Sequence, residues 1–361
     1  MPTQDTSLAR LTTVAVFPRY YVLANLAVRD DGSILVTTAL YKEALHNELW
    51  YVPPAAAAAP AEPVLLHTFG QLASGIVETE PDVFYITTSD GYPTHESFLH
   101  RLDLRHWTPG QPVRAETVLR FGDPVGRLNG SCLLAPGVVL LADSVAGLIW
   151  RVDLPAGPGQ ATARVWLEHD SMDYDPDSPL VPPQPGINGV RYAARTRYLY
   201  YTSTAQQLFM RVPVNPGTHD PAGTPELVAG GIMADGFCLD EDTEVAYMTM
   251  HRQNTIDRVP FQPDGSAARQ IVAGEPFDEQ LVGPSSAAWG RQPGDYGRVA
   301  YITTDGGLIA PPTDDIVRPA RLLRAELPAT GTVGPDPRAI ADTNGNRNPD
   351  PVHKRRSSAP A

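Results

Sequence analysis

The chain has 361 residues and a formal charge of −13, with 42% hydrophobic and 19% charged residues. The hydrophobic content excludes a disordered chain, and the negative balance argues against nucleic acid and anionic membrane surfaces, which need basic patches. Many prolines (37) and glycines (30) beside few charges point to short strands joined by turns.

The first residues, MPTQDTSLARLTTVAVF, lack a basic region followed by a long apolar run, so no signal peptide is expected. No apolar stretch approaches the roughly 18 residues of a membrane helix. Two cysteines, Cys132 and Cys238, make no disulfide framework. A cytoplasmic protein without nucleic-acid or membrane partners is the expectation.

From there a pattern recurs: a small polar residue, a short apolar strand, a turn, then a second strand rich in Val, Tyr and Ile. The six copies open at Asn25 (NLAVR…ILVTT), Ser74 (SGIVE…VFYITTS), Asn129 (NGSCLL…VVLLADS), Asn188 (NGVRY…YLYYTST), Asp235 (DGFCL…VAYMTM) and Ser285 (SSAAW…VAYITTD). Their starting points are 49, 55, 59, 47 and 50 residues apart. A period near fifty with several strands per unit predicts a propeller, since solenoid repeats of that length are helical. Third strands recur as FLHRLDL, LIWRVDL, LFMRVPV, TIDRVPF and LLRAELP, alternating as half-buried strands do. The reading is all-β: one six-bladed β-propeller over residues 1–327 and a flexible polar tail over 328–361.

In a propeller the first strand of each blade lines the axis. The register of the repeats therefore predicts one ring of Asn25, Ser74, Asn129, Asn188, Asp235 and Ser285 at the channel mouth. The alternative is that these residues only open tight turns. Amide oxygens and a carboxylate are hard donors suited to Ca²⁺, Mg²⁺ or Mn²⁺, and Asn129, Asn188 and Asp235 lie on consecutive blades.

Further candidates surround the ring. His251, in MTMHRQNT, could reach the mouth as a donor or be a structural histidine. Tyr92 and His95, in DGYPTHESF, sit on a long loop of blade two and could cap the pocket. The acidic, proline-rich insertion from His169 to Gly186 reads as a rigid lid or as a solvated surface loop. Asp143 and Ser144 are candidate polar wall residues, Trp50 and Trp150 candidate packing between blades, and the two cysteines inert core thiols. Serine-hydrolase elbows, HExxH helices, P-loops and dinucleotide fingerprints are absent from the sequence.

The segments Arg127-Leu-Asn129-Gly, Ile187-Asn188-Gly189 and Ala234-Asp235-Gly236 resemble, over about residues 15 to 330, the senescence marker protein/gluconolactonase family of six-bladed propellers. That resemblance implies one divalent metal held by a first-blade Glu, two Asn and an Asp, hence Asn129, Asn188 and Asp235 here, with Arg127 binding substrate. The chain departs at blade one, where Asn25 stands for the Glu. Asp235 is then the only formal anion of the ring, which weakens support for a metal-activated water.

The phrases Asn25-Leu-Ala-Val-Arg, Val64-Leu-Leu-His-Thr-Phe, Glu80-Pro-Asp-Val-Phe, Leu140-Leu-Ala-Asp-Ser, Ile149-Trp-Arg-Val-Asp and Tyr198-Leu-Tyr-Tyr-Thr resemble a fungal subgroup of these propellers. Some of its members act in secondary metabolism as hetero-Diels–Alderases, joining a quinone methide to a terpene alkene. The expected function is a cyclase of that type acting on small molecules, with Asp235, Asn188 and His251 catalytic. Arg127, Asn25, Ser74, Ser285, Tyr92 and His95 would bind substrate. It requires no cofactor. The alternatives are a divalent-metal-dependent lactonase or esterase, and a non-catalytic propeller that binds a protein partner.

Overall fold

Runs such as VVLLAD and YLYYTS combine β-branched and aromatic residues with turn sequences at both ends, so they form strands rather than helices. The computed structural model describes residues 8–39, 47–54, 59–90, 96–157, 159–180, 183–261, 269–275 and 279–328. The strands form six four-stranded antiparallel sheets, the blades of a six-bladed β-propeller.

From inner to outer strand, blade one is Leu23–Val28, Ile34–Thr38, Glu48–Val52 and Val64–Thr68, and blade two Leu72–Glu80, Val83–Ser89, Ser97–Asp103 and Ala115–Arg120. Blade three is Leu128–Ala135, Val138–Asp143, Leu148–Asp153 and Thr162–Glu168, and blade four Ile187–Ala193, Tyr198–Ser203, Leu208–Pro213 and Glu226–Gly230. Blade five is Phe237–Asp240, Val245–Met250, Thr255–Pro260 and Gln270–Gly274. Blade six has Pro284–Trp289, Val299–Thr304 and Pro319–Glu326, and its outer strand is Arg10–Arg19 from the other end of the chain. Arg10 pairs with Glu326 and Arg19 with Pro319, and this pairing closes the ring.

Apolar side chains gather into six clusters, one in each seam between neighbouring blades. Both faces of a blade are thus covered, which explains second strands that are buried at every position, such as Ile34–Thr38 and Val83–Ser89. Trp150 packs in the seam of blades two and three against Phe121, and Trp50 against the seam of blades six and one. Cys132 and Cys238 are free, buried thiols in two other seams.

Five inner strands carry a register irregularity where the ring was expected: Leu23/Asn25, Ala73/Ile76, Leu128/Ser131, Ile187/Val190 and Pro284/Ser286. A bulge turns one side chain out of the sheet's alternation. A belt on the second strand braces it. Thr37, Thr87, Thr202, Thr249 and Thr303 occupy equivalent places, with Ala142 the exception in blade three. Belt hydroxyls accept the N–H of Asn25, Gly75 and Gly189. They also donate across the seam, Thr37 to the Ser74 carbonyl at 2.6 Å and Thr202 to the Asp235 carbonyl at 2.7 Å.

Candidate functional site

The belt shows which residue each blade sends to the axis. Asn25 shares with Gly75 and Gly189 the N–H bonded to a belt threonine, so it stands one place beyond the ring position, which Ala24 fills. Its side chain turns into the seam, where its Oδ1 accepts from Ser286 Oγ at 2.7 Å. The expectation that Asn25 joins the ring is corrected: a polar residue in the glycine slot mimics the register of the other copies.

The other five meet. Ala24, Ser74, Asn129, Asn188, Asp235 and Ser285 all line one cavity of about 190 Å³ at the axis. Arg127 and His251 line it too, together with Val22, Leu72, Val145 and Ile309. Tyr92 and His95 lie outside the described residues.

The polar groups form a directed chain. Asn129 Nδ2 donates to Asn188 Oδ1 at 2.8 Å and to Ser144 Oγ at 3.2 Å. Asn188 Nδ2 donates to Thr204 Oγ1 at 3.0 Å, and the Asn188 amide also bonds the Asp235 carboxylate. The hydroxyls are committed elsewhere: Ser74 to the Leu128 carbonyl, Ser285 to the Leu23 carbonyl and Ser144 to the Ile187 carbonyl. They tie neighbouring blades together, so none of the three is an idle nucleophile.

Asp235 is half-buried, with its remaining surface on the cavity and protein crowded around it. Burial raises its carboxyl from 3.8 to about 6, even though His251, the Asn188 bond and Arg127 all pull it down. His251 Nε2 faces Asp305 Oδ2 at 3.1 Å. Burial disfavours the imidazolium, but the charge and hydrogen bond of Asp305, with Asp235 adding to them, hold its pKa above the ordinary value. Asp305 is wholly buried and also accepts from the Gly307 and Ile309 N–H groups at 2.7 and 2.9 Å, which fixes its carboxylate behind the imidazole.

Asp143, read from sequence as a wall residue, is a buried anchor. It is wholly buried and accepts from the backbone N–H of Gly126, Arg127, Val145 and Ala146 and from Trp150 Nε1. These bonds hold the turn from which Arg127 enters the cavity.

The insertion after His169 is pinned at both ends. Ser171 Oγ bonds the buried Tyr201 hydroxyl at 2.6 Å, and Gly186 donates to the Ser144 carbonyl at 2.9 Å. Between these anchors Tyr174, Gln184 and Pro185 line the cavity.

Thr204, Asp305, Tyr174 and Gln184 were not singled out in the sequence. For the first two a signal exists: two places beyond the belt stand Ala39, Ser89, Ser144, Thr204, His251 and Asp305, a second ring behind the first. Tyr174 and Gln184 have no repeat counterpart.

The set of Asn129, Asn188 and Asp235 does not fit a tightly held divalent ion. The Asn188 oxygen is taken by the Asn129 amide, the first-blade place is a methyl group, and the Arg127 guanidinium and His251 imidazole both lie near the one ring carboxylate. Ca²⁺ takes six to eight oxygens. Among the described residues no cluster of three His, Cys, Asp or Glu side chains could hold a metal, and no helix is long and apolar enough to cross a membrane.

Fold and site together define a six-bladed β-propeller with a polar cup where the inner strands converge. No protein-family model matches the chain, and a search of curated proteins finds no match. Solved structures do match. A luciferin-regenerating enzyme aligns with TM-score 0.62 at 12% identity, over 88% of this chain and 95% of that one. A gluconolactonase from Xanthomonas campestris aligns with TM-score 0.57 at 13% identity, over 90% and 91%. The calcium-binding protein regucalcin from Agrobacterium tumefaciens aligns with TM-score 0.56 at 16% identity, over 89% and 95%. These are gluconolactonase- and regucalcin-like propellers in fold.

Proposed function

We propose that the chain is a small-molecule enzyme of the cyclase type, catalysing a hetero-Diels–Alder ring closure between a reactive enone such as a quinone methide and an alkene such as a terpene. The observation that carries this reading is the pairing of donors with an apolar wall. Arg127 and His251 face the same cavity as Val22, Leu72, Val145 and Ile309. Ala24 stands where a first-blade carboxylate would be needed for a metal.

The chemistry matches those parts. The reaction forms one C–O and one C–C bond, loses no atom and needs no nucleophile from the protein. Donors on the enone oxygen draw electron density from the heterodiene and stabilise charge developing in the transition state, worth about 3–4 kcal/mol per well-placed donor. Holding the two partners together contributes up to about 7–11 kcal/mol in ideal geometry. The cup is smaller than the roughly 300–1,000 Å³ of pockets that swallow a whole drug-sized ligand. It therefore grips the reacting ends and leaves the rest of a terpene outside.

The test is incubation of a quinone methide precursor and a polyene terpene with and without protein, with and without chelator. Faster, stereochemically biased adduct formation that survives chelation supports the proposal; a product distribution identical to buffer overturns it. Lactone hydrolysis is a second reading, favoured by Asp235, whose carboxyl near 6 suits a proton acceptor close to neutrality. The fold shared with a gluconolactonase adds to it. Release of acid from a sugar lactone, abolished in Asp235→Asn, would establish that reading in place of the first.

A further inference from the structure

Three residues beyond each ring position the inner strands carry Ala27, Val77, Cys132, Arg191, Cys238 and Ala288. At about 3.3 Å per residue this layer lies roughly 10 Å along the inner strands from the cup. Arg191 alone in it is charged, and it does not line the cavity.

Its guanidinium links several inner strands. Nη1 donates to the Val190 carbonyl of its own blade at 2.8 Å and lies 3.5 Å from the Ser131 carbonyl of blade three. Nη2 donates to the Ala287 carbonyl of blade six at 3.1 Å, and the group sits 5.8 Å from the centre of the Phe237 ring. These bonds leave Nε–H and one Nη2 hydrogen without an acceptor among the described residues. The side chain nevertheless keeps some exposed surface.

What is missing is a counter-charge. No carboxylate among the described residues pairs with Arg191. Among the described residues its charge acts on the thiols of Cys132 and Cys238, and burial pushes both up to about 12, so they stay neutral and supply no counter-charge. Burial also lowers the guanidinium pKa from its ordinary value. A cation largely withdrawn from water and balanced only by carbonyl dipoles and an aromatic face is stabilised by an accompanying anion.

We propose that the axial channel holds a small monovalent anion on the free N–H edge of Arg191, in a site separate from the cup and independent of its chemistry. Such an ion would join the guanidinium in fastening the inner strands of blades three, four and six.

Chloride is the probe. Thermal unfolding at constant ionic strength, with chloride replacing the larger isethionate ion, should show a midpoint that climbs with the logarithm of chloride once the site fills. Arg191→Met, which keeps length and removes the charge, should unfold at the same temperature in both salts. Crystals of the unaltered protein grown in bromide should show an anomalous peak against the guanidinium, a readout that stands even where the variant does not fold. A midpoint indifferent to chloride, an equal response in Arg191→Met, or bromide found only elsewhere overturns the proposal.

Discussion

Replacing Asp143 by Asn changes almost no volume, yet it reverses the polarity of one corner of a wholly buried hub. In the native protein Oδ2 accepts from Gly126 N at 2.8 Å and Trp150 Nε1 at 3.2 Å, while Oδ1 accepts from Arg127 N, Ala146 N and Val145 N at 2.8, 3.0 and 3.3 Å. An amide must place its NH₂ on one side. The Oδ2 side is less crowded, and two donors are then left facing a donor. Each buried donor without an acceptor costs about 1–3 kcal/mol, so the variant should lose roughly 4 kcal/mol. With an unfolding entropy of about 2.1 cal/mol/K per residue across the propeller, that is a fall of roughly 6 °C in midpoint. Asp143→Ala, which strands all five donors, should lose more. Calorimetry and denaturant unfolding measure both, and Arg127 should lose its fixed entry into the cup, so activity should fall more steeply than stability explains. An Asp143→Asn protein within about 1 kcal/mol of the original would refute the account of this residue as the anchor of the Arg127 turn.

Gly130→Ala would set a Cβ 2.3 Å from the Asn188 carbonyl oxygen. The inner strands of blades three and four must then part, at a cost of about 1–3 kcal/mol; Gly70→Ala, with nothing within 4 Å, is the control that should unfold unchanged. Asp235→Asn tests the raised carboxyl. Because the folded state holds that proton more tightly than the unfolded chain, native stability falls as pH rises from about 4 to about 6, and removing the charge should help only above that window. The variant should therefore melt higher than the original at pH 7.5 and level with it at pH 4; an advantage at both, or at neither, contradicts the assignment. Asp305→Asn removes the charge that lifts His251, so the imidazole titration followed by NMR should move to lower pH. An unmoved titration would show that Asp305 does not hold the imidazolium.

The propeller was legible because six copies of one strand pair repeat at nearly one interval, and five of the six ring residues followed from that register. The miss at blade one has a specific cause. The ring is set by a backbone bulge, and Ala24-Asn25 fills a slot that elsewhere reads polar residue then Gly or Ser. Residue type pointed to Asn25, whereas the belt threonine, thirteen places after Ala24 as after Ser74, pointed to the residue before it. Asp143 and Asp305 look alike in sequence, the one closing a second strand and the other following one directly. Counting from the belt separates them: Asp143 stands one place beyond it, before the second ring, and Asp305 two places beyond it, within that ring. The strand Arg10–Arg19 could not be placed from its own pattern, since its partner lies at the far end of the propeller.

That strand has a consequence for synthesis. Arg10 and its partner Glu326 are 316 positions apart, so at roughly 5–20 residues per second the first strand leaves the ribosome about 15–60 s before anything exists for it to pair with. During that wait it is an open β-edge, a template for any other nascent chain. Its exposed ends, Arg10 and Arg19, bracket the apolar stretch with positive charge and discourage such pairing. Loop-closure entropy for so long a span adds little to the final stability but must be met before the last seam forms. The joining of blade six is thus the natural slow step of maturation, and the stage at which a chaperone would matter most.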